Sequence, residues 1–379
     1  MLAAPCDAEA RRRPFDVVND GTPATMHIVF AAGGTAGHIE PALNTADALI
    51  RADPAIEITV LGGRRGLEST LVPARGYELI ETDALPLPRR PGLAALRFPA
   101  HALRGVSQAA AHLRRVQASA VVGFGGYAAV PGYVAARRTR TPLLIHEANS
   151  TAGFANVLGA RLTEHVATVH DGVLSGARHL ALPIRRSIAE LDRAAERSGA
   201  RREWGLDPQA PVVLVFGGSQ GARHLNEVVA ASLDVLLASG VHVLHAVGGR
   251  NELPPAREGY VPVHYVDRME SAYAAADIVV CRAGAMTCAE VTAVGLPAVY
   301  VPLPVGNGEQ SGNAAAIVAS GGGFQRADAE LTAEWLTDTL VDVVHDESQL
   351  ARMSQAASLH GERDADDAMG EWIMRIARG

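Results

Sequence analysis

The sequence predicts an α/β protein made of two Rossmann-like domains that face each other across a cleft. Short β-rich runs alternate with longer helical patterns along the chain, which is typical of parallel sheets. The chain has 379 residues, more than one ordinary domain requires. Two segments also share one sequence pattern, residues 27–38 (HIVFAAGGTAGH) and residues 212–223 (VVLVFGGSQGAR). Each has a buried strand, a Gly-Gly-hydroxyl-x-Gly turn and a helical run.

Strands are predicted where β-branched and apolar residues cluster between turn signals. In the first half these are residues 27–31, 56–61, 78–82, 120–123, 143–146 and 165–168. In the second half they are residues 212–216, 241–247, 261–265, 278–281 and 298–301. Between the two sets, residues 185–207 are rich in charge and contain Gly199 and Gly205, so we expect the interdomain connection there.

These patterns predict a first domain at residues 26–184 and a second at residues 185–359. Residues 360–379 are predicted to form a helix that packs back on the first domain. Residues 1–25 contain no periodic apolar face, and Met26 directly precedes the first strand. We interpret this tail as a disordered N-terminal extension or a misassigned start.

Composition excludes several classes of function. The net charge is −7 and aromatic residues are only 4% of the chain, which argues against a nucleic-acid partner. All 34 basic residues are arginines, so Schiff-base chemistry and a P-loop lysine are excluded. The three cysteines lack the spacing of metal ligands. Residues 116–136 are uncharged, but glycines and prolines interrupt them, so we predict buried sheet and no transmembrane helix.

The second glycine-rich turn has the features of an anion site. Gly217, Gly218 and Gly221 let backbone N–H groups approach a phosphate, and the following helix adds its positive end. Ser219 adds a hydroxyl. The alternative is a tight strand–helix turn without a ligand.

Two further helix starts carry candidate sugar and ribose contacts. Glu290 lies within the first turns of a helix after the strand at residues 278–281, where ligands bind in open α/β sheets. Its carboxylate is predicted to accept hydrogen bonds from ribose hydroxyls, and the alternative is a surface glutamate near a helix N-terminus. Glu309, Gln310 and Asn313 open another helix, either as sugar-hydroxyl partners or as ordinary polar positions.

Seven motifs, in order, resemble the MurG family of bacterial glycosyltransferases, within glycosyltransferase family 28. They are GGTAGH (33–38), GLESTLVP (66–73), GFGGY (123–127), HEAN (146–149), GGSQGARHLN (217–226), CRAGAMTCAE (281–290) and GLPAVYVP (295–302). The resemblance covers residues 26 to about 313. It implies a GT-B fold and an inverting transfer of N-acetylglucosamine from UDP-N-acetylglucosamine (UDP-GlcNAc) to the MurNAc 4-hydroxyl of lipid I, giving lipid II.

The resemblance also implies partners and a location. Lipid I is an undecaprenyl-diphosphate-linked MurNAc-pentapeptide, so the enzyme would work peripherally at the cytoplasmic face of the cell membrane, on an anionic membrane surface. Cell-wall synthesis proteins are implied as partners. No cofactor is required, and no Asp-x-Asp pair follows a strand in the second half, so we expect no metal.

Site residues follow by matching motif positions. The implied donor contacts are Thr35, Gly37, Asn149, Arg185, Gly217, Gly218, Ser219, Gln220, Gly221, Val266, Met269, Ala285, Met286, Thr287, Glu290, Glu309, Gln310 and Asn313. The implied acceptor contacts are Gly33, Gly34, Tyr127 and Asn149. Within the donor set, the Gly217–Gly221 turn would hold the diphosphate, Glu290 the ribose, and Val266, Ala285 and Met286 the uracil.

An inverting transfer needs a general base on the acceptor side, and His38 is the candidate because its ordinary pKa lies near working pH. Its alternative role is to orient the loop by hydrogen bonding. The sequence departs from the family pattern at Ala36 (usually glycine), at Leu182 (usually an amide) and at Glu309 (usually glutamine). Ala36 requires a turn without positive φ at that position.

Other functions compete with this one. A different GT-B transferase or a UDP-sugar 2-epimerase would share the nucleotide-binding half, and a non-catalytic sugar-nucleotide-binding protein would require an inactive acceptor half. A nicotinamide-dependent oxidoreductase would need G-x-G-x-x-G spacing, which neither turn has.

Residues 88–115 combine apolar side chains with arginines. Leu93, Leu96, Phe98 and Leu103 stand beside Arg89, Arg90, Arg97 and Arg104. This pattern is typical of insertion at an anionic membrane interface. The alternative is an ordinary amphipathic helix packed on the sheet with solvated arginines.

Overall fold

The computed structural model describes residues 25–64, 66–85, 93–218, 221–304 and 308–379. Most of the N-terminal extension therefore lies outside the described residues, as do Arg89, Arg90, Ser219 and Gln220. Among the described residues, no helix is both long and apolar enough to cross a membrane.

The first domain is built on a parallel sheet in the order β3-β2-β1-β4-β5-β6-β7. Its strands are β1 (His27–Ala32), β2 (Glu57–Gly62), β3 (Glu78–Glu81), β4 (Ala120–Gly125), β5 (Leu143–Glu147), β6 (His165–Thr168) and β7 (Arg178–His179). Its helices are α1 (Ala36–Ala52), α2 (Glu68–Ala74), α3 (Leu93–Arg115), α4 (Val130–Thr139) and α5 (Phe154–Ala160). The uncharged stretch 116–136 forms β4, a turn and the start of α4, as predicted.

The second domain repeats the plan with a parallel sheet in the order β10-β9-β8-β11-β12-β13. Its strands are β8 (Val212–Phe216), β9 (His242–Ala246), β10 (Tyr260–Val263), β11 (Ile278–Cys281), β12 (Ala298–Tyr300) and β13 (Gly323–Gln325). Its helices are α6 (Arg186–Ala189), α7 (Arg193–Glu203), α8 (Arg223–Ala238), α9 (Met269–Ala275), α10 (Ala285–Ala293), α11 (Glu309–Ala319), α12 (Ala333–Val344) and α13 (Glu347–Ser358). The predicted α/β class is confirmed.

The segment expected to connect the domains is not a loose linker. Residues 185–207 form α6 and α7, and Asp192 caps α7 by accepting from the N–H groups of Ala194 and Ala195. Ile188 and Leu206 are buried in the core of the second domain. The charge that suggested a connection therefore covers the exposed faces of two packed helices.

The last helix, α14 (Ala365–Arg378), packs against the first domain. Its Met369 and Ile373 are fully buried in the core that includes Leu43 of α1. Arg51 of α1 donates to Asp366 at 2.6 Å. An apolar stripe and an ion pair between Arg51 and the buried Asp366 thus hold the C-terminus on α1.

A buried group of hydrogen-bonded side chains joins α3 to the first sheet. Thr59 Oγ1 of β2 lies 2.9 Å from His112 Nε2 of α3 and 3.1 Å from His27 Nε2 of β1. Burial lowers the pKa of His112 to about 4, and the nearby Arg115 adds to that effect. His112 is therefore neutral in the folded protein at neutral pH.

Candidate active site

The first glycine turn is shaped by a buried carboxylate. β1 ends at Ala32 and α1 begins at Ala36, so no positive φ is needed at Ala36, as expected. Gly34 has φ +92°, a conformation that favours glycine. The fully buried Glu68 accepts from the N–H groups of Gly34 and Gly63, both at 2.9 Å. Glu68 therefore holds two chain segments in one place.

His38 lies in the first turn of α1, beside the turn that follows β4. Its Nδ1 is 3.0 Å from Thr35 Oγ1, and its ring lies against Gly125 and Gly126. Burial lowers the pKa of His38, and the charge of Glu147 partly opposes this. A neutral imidazole is the form that a general base requires.

A chain of hydrogen bonds supports this turn from the interior. The N–H of Gly125 donates to Tyr133 Oη, whose hydroxyl donates to Asn156 Oδ1, both at 2.9 Å. Asn156 Nδ2 donates to Glu147 at 2.9 Å. The buried Glu147 at the end of β5 also accepts from the N–H groups of Asn149 and Gly153. Neither Glu68 nor Glu147 was predicted, although both lie within motifs quoted above.

Three of the four acceptor candidates, Gly33, Gly34 and Tyr127, come together at this edge of the first sheet. Tyr127 begins the short turn before α4, and a methyl group on Gly34 would lie 3.4 Å from its ring. Gly33 is packed so closely that a methyl group there would lie 2.7 Å from Ala128 Cβ. Both glycines are required by close packing or backbone conformation.

The second glycine turn keeps the features of an anion site. Gly218 and Gly221 have φ of +92° and +78°, and a methyl group on Gly221 would overlap the carbonyl oxygen of Val247. Among the described residues, no side chain caps the start of α8, which begins at Arg223 after Ala222. Its first backbone N–H groups are therefore open to a negatively charged group.

Glu290 lies inside the second domain, so it is not a surface residue. It is 7% exposed, and the hydroxyl of Tyr273 donates to it at 2.9 Å. Burial raises the pKa of Glu290 to about 7, although the nearby Arg185 guanidinium opposes the shift. The surface alternative is thus excluded, and a nearly neutral pKa at the carboxyl edge of a sheet is typical of a functional group.

Arg185 joins the two domains at the cleft. It lies 3.3 Å from Glu40 of α1, and Arg75 lies 3.0 Å from the same carboxylate. Burial works against its charge, but Glu40 and Glu290 raise the pKa of Arg185 above its ordinary value. Asn44, one turn after Glu40, donates to the carbonyl oxygen of Pro183 at 3.0 Å. Helix α1 therefore holds the segment that connects the two domains, through the ion pair of Glu40 with Arg185 and the hydrogen bond of Asn44 to Pro183.

The predicted sugar contacts at α11 are already engaged within the protein. Asn313 is 3% exposed, and its Nδ2 donates to Ala283 O at 3.2 Å and to Asn149 Oδ1 at 3.3 Å. Gln310 Oε1 accepts from the N–H of Leu303 at 2.9 Å. A sugar hydroxyl would have to share or replace these bonds.

The remaining predicted donor residues lie around the starts of α9 and α10. Val266 is 2% exposed, so it offers a base very little contact surface. Met269 begins α9, and Ala285, Met286 and Thr287 form the half-buried first turn of α10. Leu182, where an amide was expected, is buried and apolar. Among the described residues, no group of three or more histidine, cysteine or acidic side chains could hold a metal ion.

Two family models match the chain. The glycosyltransferase family 28 N-terminal domain matches residues 28–168, and the C-terminal domain matches residues 212–369. The chain belongs to glycosyltransferase family 28.

Relatives of this family 28 chain match over nearly its whole length. It is 56% identical over 351 residues to the UDP-N-acetylglucosamine--N-acetylmuramyl-(pentapeptide) pyrophosphoryl-undecaprenol N-acetylglucosamine transferase of Streptomyces avermitilis, covering 91% of this chain and 96% of the relative. It is 51% identical over 360 residues to the enzyme of the same name from Thermobifida fusca, covering 93% and 95%. The chain is a glycosyltransferase.

Solved structures agree with the family 28 assignment. Acinetobacter baumannii MurG is 27% identical, with a TM-score of 0.76 over 92% of this chain and 99% of that one. The glycosyltransferase SsfS6 of Streptomyces sp. SF2575, complexed with thymidine diphosphate, shares the fold with a TM-score of 0.63 at 16% identity, covering 92% and 99%. The predicted GT-B fold is confirmed.

Proposed function

We propose that this glycosyltransferase transfers N-acetylglucosamine from UDP-GlcNAc to the MurNAc 4-hydroxyl of lipid I, with inversion, giving lipid II. The observation that carries this proposal is the 56% identity, over nearly the full length of both chains, to a relative named for transfer between these substrates. The residues of the two domains support it, because the second domain carries a glycine turn suited to an anion and the buried Glu290, and the first carries the turn before His38.

The donor would lie in the second domain. The turn at Gly217 and Gly218 and the uncapped start of α8 would hold the diphosphate, and Glu290 would accept from the ribose hydroxyls. When the bond between the anomeric carbon and the diphosphate oxygen breaks, the leaving charge develops against these N–H groups. Preorganised donors of this kind stabilise such a transition state without a metal ion.

The acceptor hydroxyl would approach from the first domain. Its oxygen attacks the anomeric carbon from the face opposite UDP, and its proton passes to the neutral His38 imidazole. Thr35 orients the ring through Nδ1, and Glu68 fixes the backbone of the turn that precedes it. Apart from that of Gly34, which donates to Glu68, the N–H groups of the Gly33–Gly37 turn are suited to the lipid diphosphate.

We further propose that α3 meets an anionic membrane surface. Leu96 is 78% exposed and Leu103 is 66% exposed, while Leu113 near the C-terminal end of α3 is buried. Exposed leucines next to Arg97 and Arg104 are suited to interfacial insertion, where each basic residue contributes about 1 kcal/mol.

The membrane proposal is tested by vesicle co-sedimentation. Leu96→Asp with Phe98→Asp should weaken binding to vesicles that contain anionic lipid and leave UDP affinity unchanged. Val235→Asp is the matched control, because Val235 is 53% exposed on α8 of the second domain. Equal vesicle binding by both proteins would contradict the assignment to α3.

The proposed reaction is tested with labelled UDP-GlcNAc and a lipid I analogue. Label should move to the lipid only when both substrates are present. Conversion of UDP-GlcNAc to another UDP-sugar without acceptor would indicate an epimerase, and donor binding without turnover would indicate a non-catalytic protein.

A further inference from the structure

Ser150 of the first domain makes two hydrogen bonds to α11, the helix expected to meet the donor sugar. The N–H of Ser150 donates to Asn313 Oδ1 at 2.9 Å, and its hydroxyl donates to the carbonyl oxygen of Glu309 at 2.8 Å. Both partners belong to α11 of the second domain. Ser150 therefore makes a two-point contact across the cleft.

A glycine on α11 leaves the space that Ser150 occupies in this contact. A methyl group on Gly312 would overlap Ser150 Oγ and would lie 2.6 Å from Ser150 Cβ. Gly312 is inside a helix, where alanine is ordinarily the more stable residue by about 1 kcal/mol. The glycine is thus explained by the approach of Ser150 and not by the conformation of the helix.

The loop that carries Ser150 is held by hydrogen bonds within the first domain. Glu147 accepts from the N–H of Asn149 at 2.9 Å and from that of Gly153 at 3.0 Å, one on each side of Ser150. Because Glu147 is buried at the end of β5, it ties the loop to the first sheet. Ser150 is therefore in a fixed position relative to the acceptor side of the cleft.

We propose that Ser150 is a positioning residue that latches the loop after β5 onto α11. The latch sets the place of the first turn of α11, which carries Glu309 and Gln310, relative to His38 and the acceptor. Asn313 is the side-chain partner of Ser150 in the latch. Its Oδ1 accepts from the N–H of Ser150, and its Nδ2 donates to Asn149 Oδ1 and to the carbonyl oxygen of Ala283. The functional consequence rests on the proposed transfer reaction, whereas the latch itself does not.

Three variants test the latch. Ser150→Ala removes one of the two hydrogen bonds and should lower kcat/KM for the donor about fivefold, the usual net effect of one hydrogen bond. Gly312→Ala puts a methyl group where Ser150 lies and should lower kcat/KM at least about tenfold without lowering Tm. In Ser150→Gly/Gly312→Ala the obstacle is gone, and kcat/KM should return to about the level of Ser150→Ala.

UDP affinity should be unchanged in all three variants, because the diphosphate and ribose contacts lie elsewhere in the second domain. Ser311→Ala is the matched control, since Ser311 is exposed on the same turn of α11. Wild-type kinetics in Gly312→Ala would overturn the proposal. A double variant as impaired as Gly312→Ala alone would also overturn it.

Hydrogen exchange separates the latch from the reaction. Amides of residues 148–153 and of the α11 N-terminus should exchange faster in Gly312→Ala and regain protection in the double variant. If exchange follows this pattern but the wild type transfers no sugar to lipid I, the reaction is wrong and the latch stands. If the wild type is active and exchange is the same in all variants, the latch is wrong.

Discussion

Changing Glu68 to glutamine should disable the acceptor half while leaving the donor half intact. The two carboxylate oxygens of Glu68 each accept one backbone N–H, from Gly34 and from Gly63, at 2.9 Å. Glutamine has nearly the same shape but only one accepting oxygen, so its NH₂ group must face a backbone N–H. One charge-assisted hydrogen bond is then lost and one buried donor is left unpaired.

The size of the effect follows from these two losses. A hydrogen bond to a charged group contributes about 1.5–3 kcal/mol, and an unpaired buried donor costs about 1–3 kcal/mol. Since the two overlap, we expect ~2–4 kcal/mol of destabilisation in the first domain. For a domain of this size that is a fall in Tm of roughly 5–10 °C.

Activity and binding should separate in this variant. With the turn before His38 displaced, kcat should fall by about tenfold or more at a temperature where the variant is still folded. UDP affinity by calorimetry should match the wild type, because its site is in the second domain. Glu164→Gln is the control, an exposed glutamate of the first domain. If Glu68→Gln has the Tm and kcat of that control, the bracing role of Glu68 is refuted.

Three further predictions concern titrating groups. Burial raises the pKa of Glu290 to about 7, so UDP affinity should rise up to roughly tenfold from pH 6 to pH 8, and Glu290→Gln should abolish this dependence in calorimetry. Glu290→Ala should cost ~1–3 kcal/mol of donor binding. His38→Ala should lower turnover by about 10²–10⁴-fold with unchanged UDP affinity, and wild-type turnover would exclude both its roles. Because burial lowers the pKa of His112 to about 4, the unfolded chain binds more protons than the folded chain between pH 4 and pH 6.5. The free energy of unfolding should therefore fall by up to ~3 kcal/mol as the pH falls from 6.5 to 4. The Tm of His112→Gln should depend less on pH over that range. A Tm that depends on pH as in the wild type would contradict the burial of a neutral His112.

Local patterns predicted the sheet, because buried parallel strands leave a strong apolar signal between turns. β7 and β13 were missed, since Arg178–His179 and Gly323–Gln325 are too short and too polar to give one. The helices within residues 185–207 were missed because their exposed faces are so highly charged.

The site was predicted only where its residues are close in sequence. The two glycine turns follow strands directly, and Glu290 lies in the helix after β11, so their placement could be inferred from the chain alone. The bonds of Glu68 to Gly34 and of Ser150 to Asn313 join residues far apart in the sequence. No local pattern carries that pairing. The motif GLES (66–69) places Glu68 close to Gly66, which could have marked it as a candidate, but it does not identify Gly34 as the partner.

An inverting transfer to lipid I fixes both the linkage and the anomeric configuration of the product, so the structure of the product decides whether this reaction occurs. The disaccharide released from the lipid after reaction with UDP-GlcNAc should be examined by proton NMR, which reports linkage and anomeric configuration together. We expect one N-acetylglucosamine joined to the MurNAc 4-oxygen as the β anomer. An α anomer, a different linkage or the absence of a disaccharide would contradict it.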